Sequence, residues 1–297
     1  MKVAPLPKIS VITPSYNQGV FLEDTILSVL GQNYPNLEYI VIDGGSCDGS
    51  LEIIKKYEKH LAYWESVKDN GQSHAINKGM EKATGDILCW LNSDDLFLPS
   101  TFSYVSKLFL NSGKPALIYG NCILFRETEN GMWALGTDVV GAAKTSALEA
   151  GDYIIQPSTF WTKTAWQQLG TLREEMHYAF DWEWFLRAKK SGIDLQPVNK
   201  ILSMYRHHET HKTANGGEKR RDEIAAVYHQ YSGHYASLYN MIRQESFDTH
   251  TLSQKMVRRV LRLFKKSITQ GYLLKHSKRS KYKTYSYQDM DHAISML

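Results

Sequence analysis

Leu37-Glu38-Tyr39-Ile40-Val41-Ile42-Asp43-Gly44-Gly45-Ser46 begins as a β-branched, apolar run, stops at an acid and two glycines, and gives way to a helical pattern near Asp48. The spacing predicts a strand, a tight turn and a helix, with Asp48 as the natural N-cap. The same unit precedes it. Ile9-Ser10-Val11-Ile12-Thr13 is short and β-branched, Pro14 ends it, and a helical pattern runs from Val20 to Leu30. A third unit follows: a helix from Ser73 to Ala83 leads into Ile87-Leu88-Cys89-Trp90-Leu91, which stops at Asn92-Ser93-Asp94-Asp95, and Pro99 starts another helix. Strands and helices alternating at this length predict an α/β fold, with right-handed crossovers and a mainly parallel sheet covered on both faces.

A sheet of that kind binds ligands at the carboxyl ends of its strands. Those ends carry Thr13-Pro14-Ser15, Asp43-Gly44-Gly45 and Asp94-Asp95, so polar and acidic groups converge where a site is expected. Two adjacent carboxylates repel each other unless something positive joins them. Mg²⁺ or Mn²⁺ would do so, taking one or two protein carboxylates and completing its shell with phosphate oxygens. The plainer reading is a capped turn, in which Asp95 only starts the next helix. Neither Gly-x-Gly-x-x-Gly after the first strand nor Gly-x4-Gly-Lys-Ser/Thr is present, which argues against dehydrogenases and P-loop enzymes. Without a glycine cradle, a diphosphate must be met by metal and side chains.

A chain of 297 residues, 42% hydrophobic and 22% charged, is long enough for one large domain with an appendage. Cys47, Cys89 and Cys122 are too few and too scattered for a disulfide framework or a zinc ribbon, and suggest a reducing compartment. The first ten residues lack an apolar run of signal length, and every apolar stretch falls short of the roughly 18 residues of a membrane span. A cytoplasmic protein is expected. Its net charge of +4 conceals a crowd of cations between Lys255 and Lys283. Within it, Lys255-Met-Val-Arg-Arg-Val-Leu-Arg-Leu-Phe-Lys-Lys266 reads as a basic amphipathic helix. Such a helix suits either an anionic membrane surface or packing on the rest of the chain with a solvated basic face. No recognition motif accompanies the charge, so nucleic acid is not expected as a partner.

Beyond Ala116 the pattern loosens into strand-like pieces (Ala116 to Phe125, Met132 to Leu135, Ser158 to Trp161) and short helices such as Tyr178 to Lys190. Asn215 to Gly217 reads as a hinge, followed by helices from Glu218 to Tyr239 and Leu252 to Tyr272. Residues 1–215 are therefore expected to form the catalytic domain. Its nucleotide half is about 1–115 and its acceptor half about 116–215, with 216–297 a helical basic extension.

These residues carry a resemblance. Seven motifs stand in order: Ser10-Val-Ile-Thr-Pro-Ser-Tyr-Asn17, Val41-Ile-Asp-Gly-Gly-Ser-Cys-Asp-Gly49, Asp69-Asn-Gly-Gln-Ser-His-Ala-Ile-Asn-Lys-Gly79, Gly85-Asp-Ile-Leu-Cys-Trp-Leu-Asn-Ser-Asp-Asp95, Gln156-Pro-Ser158, Asp181-Trp-Glu-Trp-Phe-Leu-Arg187 and Tyr205-Arg-His-His208. The chain resembles family 2 glycosyltransferases of the GT-A fold from about Lys8 to Thr213. The resemblance implies a nucleoside site at Thr13, Pro14, Ser15 and Asp43, bordered by Asp69 to Asn77, where helix capping reads equally well for Gln72 and His74. Gly44 stands where many members have a second acid, and Asn92 where common members have a third. It implies a metal and diphosphate motif at Asp94 and Asp95, with Asp95 the direct ligand and Asp94 on ribose or metal. His208 would complete the metal shell, and Lys212 would neutralise the leaving group.

Asp181 and Glu183 lie two apart at the start of a helix, so they leave it in different directions and only one can serve a reacting atom. The resemblance makes Asp181 the base and Glu183 the reserve; without it, Asp181 is an N-cap and Glu183 a surface acid. The implied reaction is inverting transfer of a sugar from a nucleotide-diphosphate donor to a saccharide or lipid-linked saccharide acceptor. It would serve cell-surface polysaccharide or lipid-linked oligosaccharide assembly, on the cytoplasmic face of a membrane if the basic helix binds there. Two other classes compete. A sugar-1-phosphate nucleotidyltransferase needs a basic, Gly-rich loop after the first strand, and Thr13 to Gly19 has no basic residue. A non-catalytic nucleotide-sugar binder could keep Asp94 and Asp95 but has no use for a base.

Overall fold

The computed structural model describes residues 5–110, 114–129, 131–209, 212, 216–247 and 285–297. The chain divides into two compact units, one of Met1–Thr145 with Tyr153–Asn215 and one of Ser146–Asp152 with Gly216–Leu297.

The first unit opens with β1 (Ile9–Ser15), α1 (Gly19–Leu30), β2 (Leu37–Asp43), α2 (Ser50–Tyr57), β3 (Tyr63–Ser66), α3 (Gln72–Lys82) and β4 (Ile87–Trp90). It continues through β5 (Leu96–Phe97), α4 (Thr101–Phe109), β6 (Ala116–Thr128), β7 (Gly131–Gly136), α5 (Val139–Thr145), β8 (Thr159–Thr162), α6 (Lys163–Leu169), α7 (Phe180–Lys190) and β9 (Asp194–Arg206). The nine strands form one sheet in the order β3-β2-β1-β4-β8-β6-β9-β5, with β7 paired on β6.

The pairs among β3, β2, β1 and β4 are parallel, as the alternating sequence pattern predicts. Beyond β4 the sheet turns mixed. β8 runs antiparallel to both β4 and β6, β7 to β6 and β5 to β9, while β6 and β9 pair in parallel. Helices cover both faces of the parallel part, which is why β1 and β4 are buried along their whole length, β4 as an unbroken apolar run. On one face Ile9, Val11 and Val41 pack against Leu22, Ile26 and Val29 of α1, all fully buried. Each such side chain contributes about 1.5–3 kcal/mol by leaving water. On the other face α3 lies so close that a Cβ on Gly79 would stand 2.4 Å from Ile12 Cγ2. Glycine there sets the depth at which α3 docks.

Several local expectations are corrected. The N-cap of α2 is Gly49 in the left-handed region, not Asp48. The Asp48 carboxylate instead accepts from the backbone N–H of both Gly19 and Ser50, tying together the starts of α1 and α2. α4 begins at Thr101, because Leu98 N–H still pairs with Leu202 and Ser100 takes a positive φ before the helix can start. The sequence pattern missed β3, β5 and β9; in β9 a mid-strand Pro197 and a polar first half mask the period.

In the second unit, α8 (Gly217–Tyr231) and α9 (Gly233–Phe247) replace the single helix expected from Glu218 to Tyr239, and α10 spans Tyr287–Ser295. Ser232 is extended and interrupts it. Leu238 and Ile242 of α9 bury against Met290 and Ala293 of α10. The helix expected from Leu252 to Tyr272 and the basic stretch from Lys255 to Lys283 lie outside the described residues. No helix among the described residues is long and apolar enough to cross a membrane.

Candidate active site

The first unit holds a cavity of about 650 Å³ at the carboxyl ends of β1, β2 and β4. Of the residues expected to form a site, Pro14, Ser15, Asp69, Asp94, Asp181 and Lys212 line it. Thr13, Asp43, Asn77, Asp95 and His208 are not among its lining residues, and each has a visible structural engagement.

Thr13 is fully buried, its hydroxyl 3.1 Å from Tyr39 Oη. The Asp43 carboxylate, also fully buried, accepts from the backbone N–H of Gly45 and Ser46 and from the hydroxyls of Ser46 and Ser66. It shapes the loop whose Gly44 and Gly45 face the cavity. Gly44 stands where many family members have a second acid; a Cβ there would lie 2.9 Å from an Asp69 carboxylate oxygen, so a side chain would require Asp69 to shift. Asp69 in turn accepts from Gly71 N–H at 2.8 Å, just before α3. Asn77 braces α3 against the chain ahead of α7, donating to Leu172 O and Glu174 and accepting from Leu172 N–H. Ser73 donates to Met176 O rather than capping α3, which begins one residue earlier.

The acidic pair is split by burial. Asp94 sits on the cavity wall with its Oδ2 3.0 Å from His208 Nε2, and His208 packs on Phe21 with ring centroids 4.6 Å apart. Asp95 is 1% exposed and turns inward, accepting from Arg206 N–H at 3.1 Å and from the Asn92 amide at 3.3 Å. Burial first, and the neighbouring Asp94 charge second, push its carboxyl well above the usual range despite those hydrogen bonds. Asp94 is therefore the carboxylate presented to the cavity, and Asp95, expected by resemblance as the direct metal ligand, is turned away from it.

Arg206, given no role by the sequence, organises this corner. Its Nε donates to Asp94 O, its terminal nitrogens to Glu127 and Asp24, and its guanidinium lies between the rings of Phe21 and Phe125. The cavity floor is a second network. Gln156 donates to Trp90 O, Asn92 donates to Gln156, and Gln72 donates to Asn92 and accepts from Lys212. Lys212 also stands over the rings of Tyr178 and Phe180, at 5.7 and 5.6 Å. The network joins the end of β4 to the start of α3, so the Gln156-Pro-Ser158 motif acts as a brace beneath the wall.

The helix carrying Asp181 and Glu183 separates them as its period requires. Asp181 is half-buried on the cavity wall, one carboxylate oxygen accepting from Trp182 N–H at 2.8 Å. Glu183 is neither a surface acid nor placed for the reserve role. It is fully buried on the opposite side of the helix start, between Arg187 at 2.9 Å and Arg173 at 3.4 Å.

Two buried polar atoms on cavity-lining residues, Ser15 Oγ and Trp90 Nε1, find no hydrogen-bond partner among the described residues. Buried polar groups are nearly always paired, so these suit a polar ligand. For a divalent cation, no three His, Cys, Asp or Glu side chains converge among the described residues. Asp94 and His208 supply two donors side by side. That set fits Mn²⁺ or Mg²⁺ whose remaining ligands come from a substrate's phosphates, and does not fit a cation held by protein alone.

Comparison with known proteins agrees with this architecture. Residues 10–159, half of the chain, match the family model described as Glycosyl transferase family 2. A putative teichuronic acid biosynthesis glycosyltransferase TuaG of Bacillus subtilis is 44% identical over 94 residues, 30% of this chain and 36% of the relative. The GalNAc(5)-diNAcBac-PP-undecaprenol beta-1,3-glucosyltransferase of Campylobacter jejuni is 31% identical over 126 residues, 41% and 40% of the two chains. The matched stretch thus spans well under half of either curated relative. Among solved structures, the mannosyltransferase PcManGT of Pyrobaculum calidifontis, in complex with GDP-Man and Mn²⁺, superposes with a TM-score of 0.61. The superposition covers 99% of this chain and 86% of that one at 15% identity, and so shows a shared fold.

Proposed function

The chain belongs to glycosyl transferase family 2, and from that premise we propose that it is an inverting glycosyltransferase using a nucleotide-diphosphate sugar and a divalent cation. The acceptor is a hydroxyl of a saccharide or lipid-linked saccharide, in assembly of cell-surface polysaccharide or lipid-linked oligosaccharide. The names of the Bacillus and Campylobacter relatives support that class of acceptor. The observation that carries the reading is the convergence of Asp94, Lys212 and Asp181 on one cavity.

Pro14, Ser15 and Asp69 hold the nucleoside, while Thr13, Asp43 and Asn77 fix the wall behind them. Asp181 takes the proton of the acceptor hydroxyl as its oxygen bonds to the anomeric carbon. The bond from that carbon to the diphosphate breaks on the opposite face, inverting the centre, and the Lys212 ammonium stabilises the negative charge that leaves. Asp94 and His208 are the residues that would hold the cation, which when bound supplies Lewis-acid stabilisation to the same phosphates. Asp95, turned inward, fixes the Asp94 loop through Arg206. The basic stretch from Lys255 to Lys283 would draw the protein to an anionic membrane surface on the cytoplasmic side.

The test is a thermal-stability screen of nucleotide sugars with and without Mn²⁺. A ligand bound to the folded state at a hundred times its Kd stabilises by about 2.7 kcal/mol. The expected result is stabilisation by at least one nucleotide sugar that needs the cation. No stabilisation by any UDP-, GDP-, CDP- or dTDP-linked sugar would contradict the reading.

A further inference from the structure

Beside the cavity the sheet carries a projecting hairpin. β8 places Leu88 of β4 level with Leu117 of β6, so β6 is level with the end of β4 at Tyr119 and runs on for nine residues, carrying β7 with it. β6 is parallel to β4, and the hairpin therefore projects beyond the carboxyl edge where the cavity lies. Alternation puts Leu124 and Arg126 of β6, Leu135 and Trp133 of β7 and Tyr205 of β9 on one face. Tyr205 lines the cavity. His207 follows with its ring 5.1 Å from Tyr205, and Trp133 stands 6.4 Å beyond it. Trp133 and Leu135 are 50% and 54% exposed.

Flat rings leading out of a cavity, edged by polar groups, match one chemistry well. A pyranose has apolar C–H faces that stack on aromatic rings and hydroxyl edges that take hydrogen bonds. Arg126, directly across from Trp133 and 3.8 Å from the exposed Glu209, supplies such an edge. An anionic bilayer suits the hairpin less well, because Glu127, Glu129 and Glu209 border it.

We infer that this face, from Tyr205 through His207 to Trp133, binds the acceptor saccharide chain behind its reacting end. The inference rests on the transferase reading above and deepens it by making the acceptor longer than one sugar. Trp133 is the outermost stacking ring and Arg126 its polar neighbour.

The experiment compares the full chain with Trp133→Ala, a change at a half-exposed side chain that leaves the core untouched. Nucleoside diphosphate with Mn²⁺ is titrated first, then a ladder of immobilised saccharides from monosaccharide upward, covering neutral and acidic chains. The expected result is tighter retention of longer chains by the parent, weakened about fivefold or more in Trp133→Ala as for a truncated Trp anchor. Monosaccharide retention and nucleotide affinity stay the same. A parent without any gain in retention with chain length overturns the inference, as does a variant that keeps that gain. If Trp133→Ala instead lowers self-association or binding to phosphatidylglycerol vesicles while chain retention is unchanged, the face belongs to a second copy or a membrane, and the inference is overturned. Failure of the parent to bind any nucleoside diphosphate strikes the transferase reading instead, and the first titration reports it separately.

Discussion

Replacing Arg206 by Met tests how the site corner is held. Methionine keeps a flexible apolar stem between Phe21 and Phe125 but removes every side-chain donor. The backbone N–H of residue 206 still serves Asp95, so the buried carboxyl keeps that bond. What is lost first is the hydrogen bond from Nε to Asp94 O, in a corner where the arginine is 4% exposed; an acceptor left unpaired there costs about 1–3 kcal/mol. The ion pairs to Asp24 and Glu127 are worth less, because those carboxylates are 59% and 65% exposed and regain water; each contributes about 0–1 kcal/mol. Loss of the cation between two rings adds about 1 kcal/mol. The expected destabilisation is about 2–6 kcal/mol, or roughly 5–20 °C in Tm for a unit of this size. Urea unfolding gives the first figure and calorimetry the second. Mn²⁺-dependent nucleotide binding should weaken as well, since the Asp94 backbone is no longer anchored. Arg206→Lys should restore little, because one ammonium cannot replace a planar fork serving three partners. A loss under about 1 kcal/mol with unchanged nucleotide affinity would refute the organising role of Arg206.

Two further predictions separate structure from chemistry elsewhere. Glu183→Gln removes the charge shared by Arg173 and Arg187 at a fully buried position, and should lower stability by about 1–3 kcal/mol while a folded fraction keeps its turnover; a stable but inactive variant would reverse that assignment. At Glu38, burial raises the carboxyl pKa, but hydrogen bonds from Lys8, Ser10 and Thr84 outweigh it and hold the group at about 2. A depressed carboxylate stabilises the fold above its unfolded pKa, so this contribution should fade as pH falls from about 4.5 towards 2. Acid titration of Glu38→Gln should show less loss across that window than the parent, and identical curves would contradict the cause named.

How much of this was legible depends on where each partner lies in the chain. β1, β2 and β4 announce themselves, because strands buried on both faces are short, apolar and β-branched-rich and the acids and glycines after them mark the turns that line the cavity. Asp94 is legible for that reason, Asp69 and Lys212 only through the family resemblance, and the helical period alone separates Asp181 from Glu183. The period could not say which direction is the core. Arg173 and Arg187 decide that for Glu183: Arg187 stands one turn on in the same helix, but Arg173 comes from the chain ahead of it, and the helix does not announce that contact. Arg206 stayed hidden because it meets Asp95 across 111 residues through β9, a strand disguised by Pro197 and its polar half. The inward turn of Asp95 follows from the same pairing. The exposed ring path ending at Trp133 needs the β6–β7 register to bring Trp133 opposite Arg126, and sequence spacing within one hairpin does not fix that register.

The most direct measurement of the central claim is the transfer rate of Asp181→Asn. Asparagine keeps the size and hydrogen-bonding shape of the side chain but cannot take the acceptor's proton. The variant should fold, bind nucleotide sugar with Mn²⁺ as tightly as the parent, and transfer sugar about 10² to 10⁴ times more slowly. A folded Asp181→Asn protein that binds the donor normally and transfers within a few-fold of the parent would remove Asp181 from the chemistry, and with it the mechanism argued from this cavity.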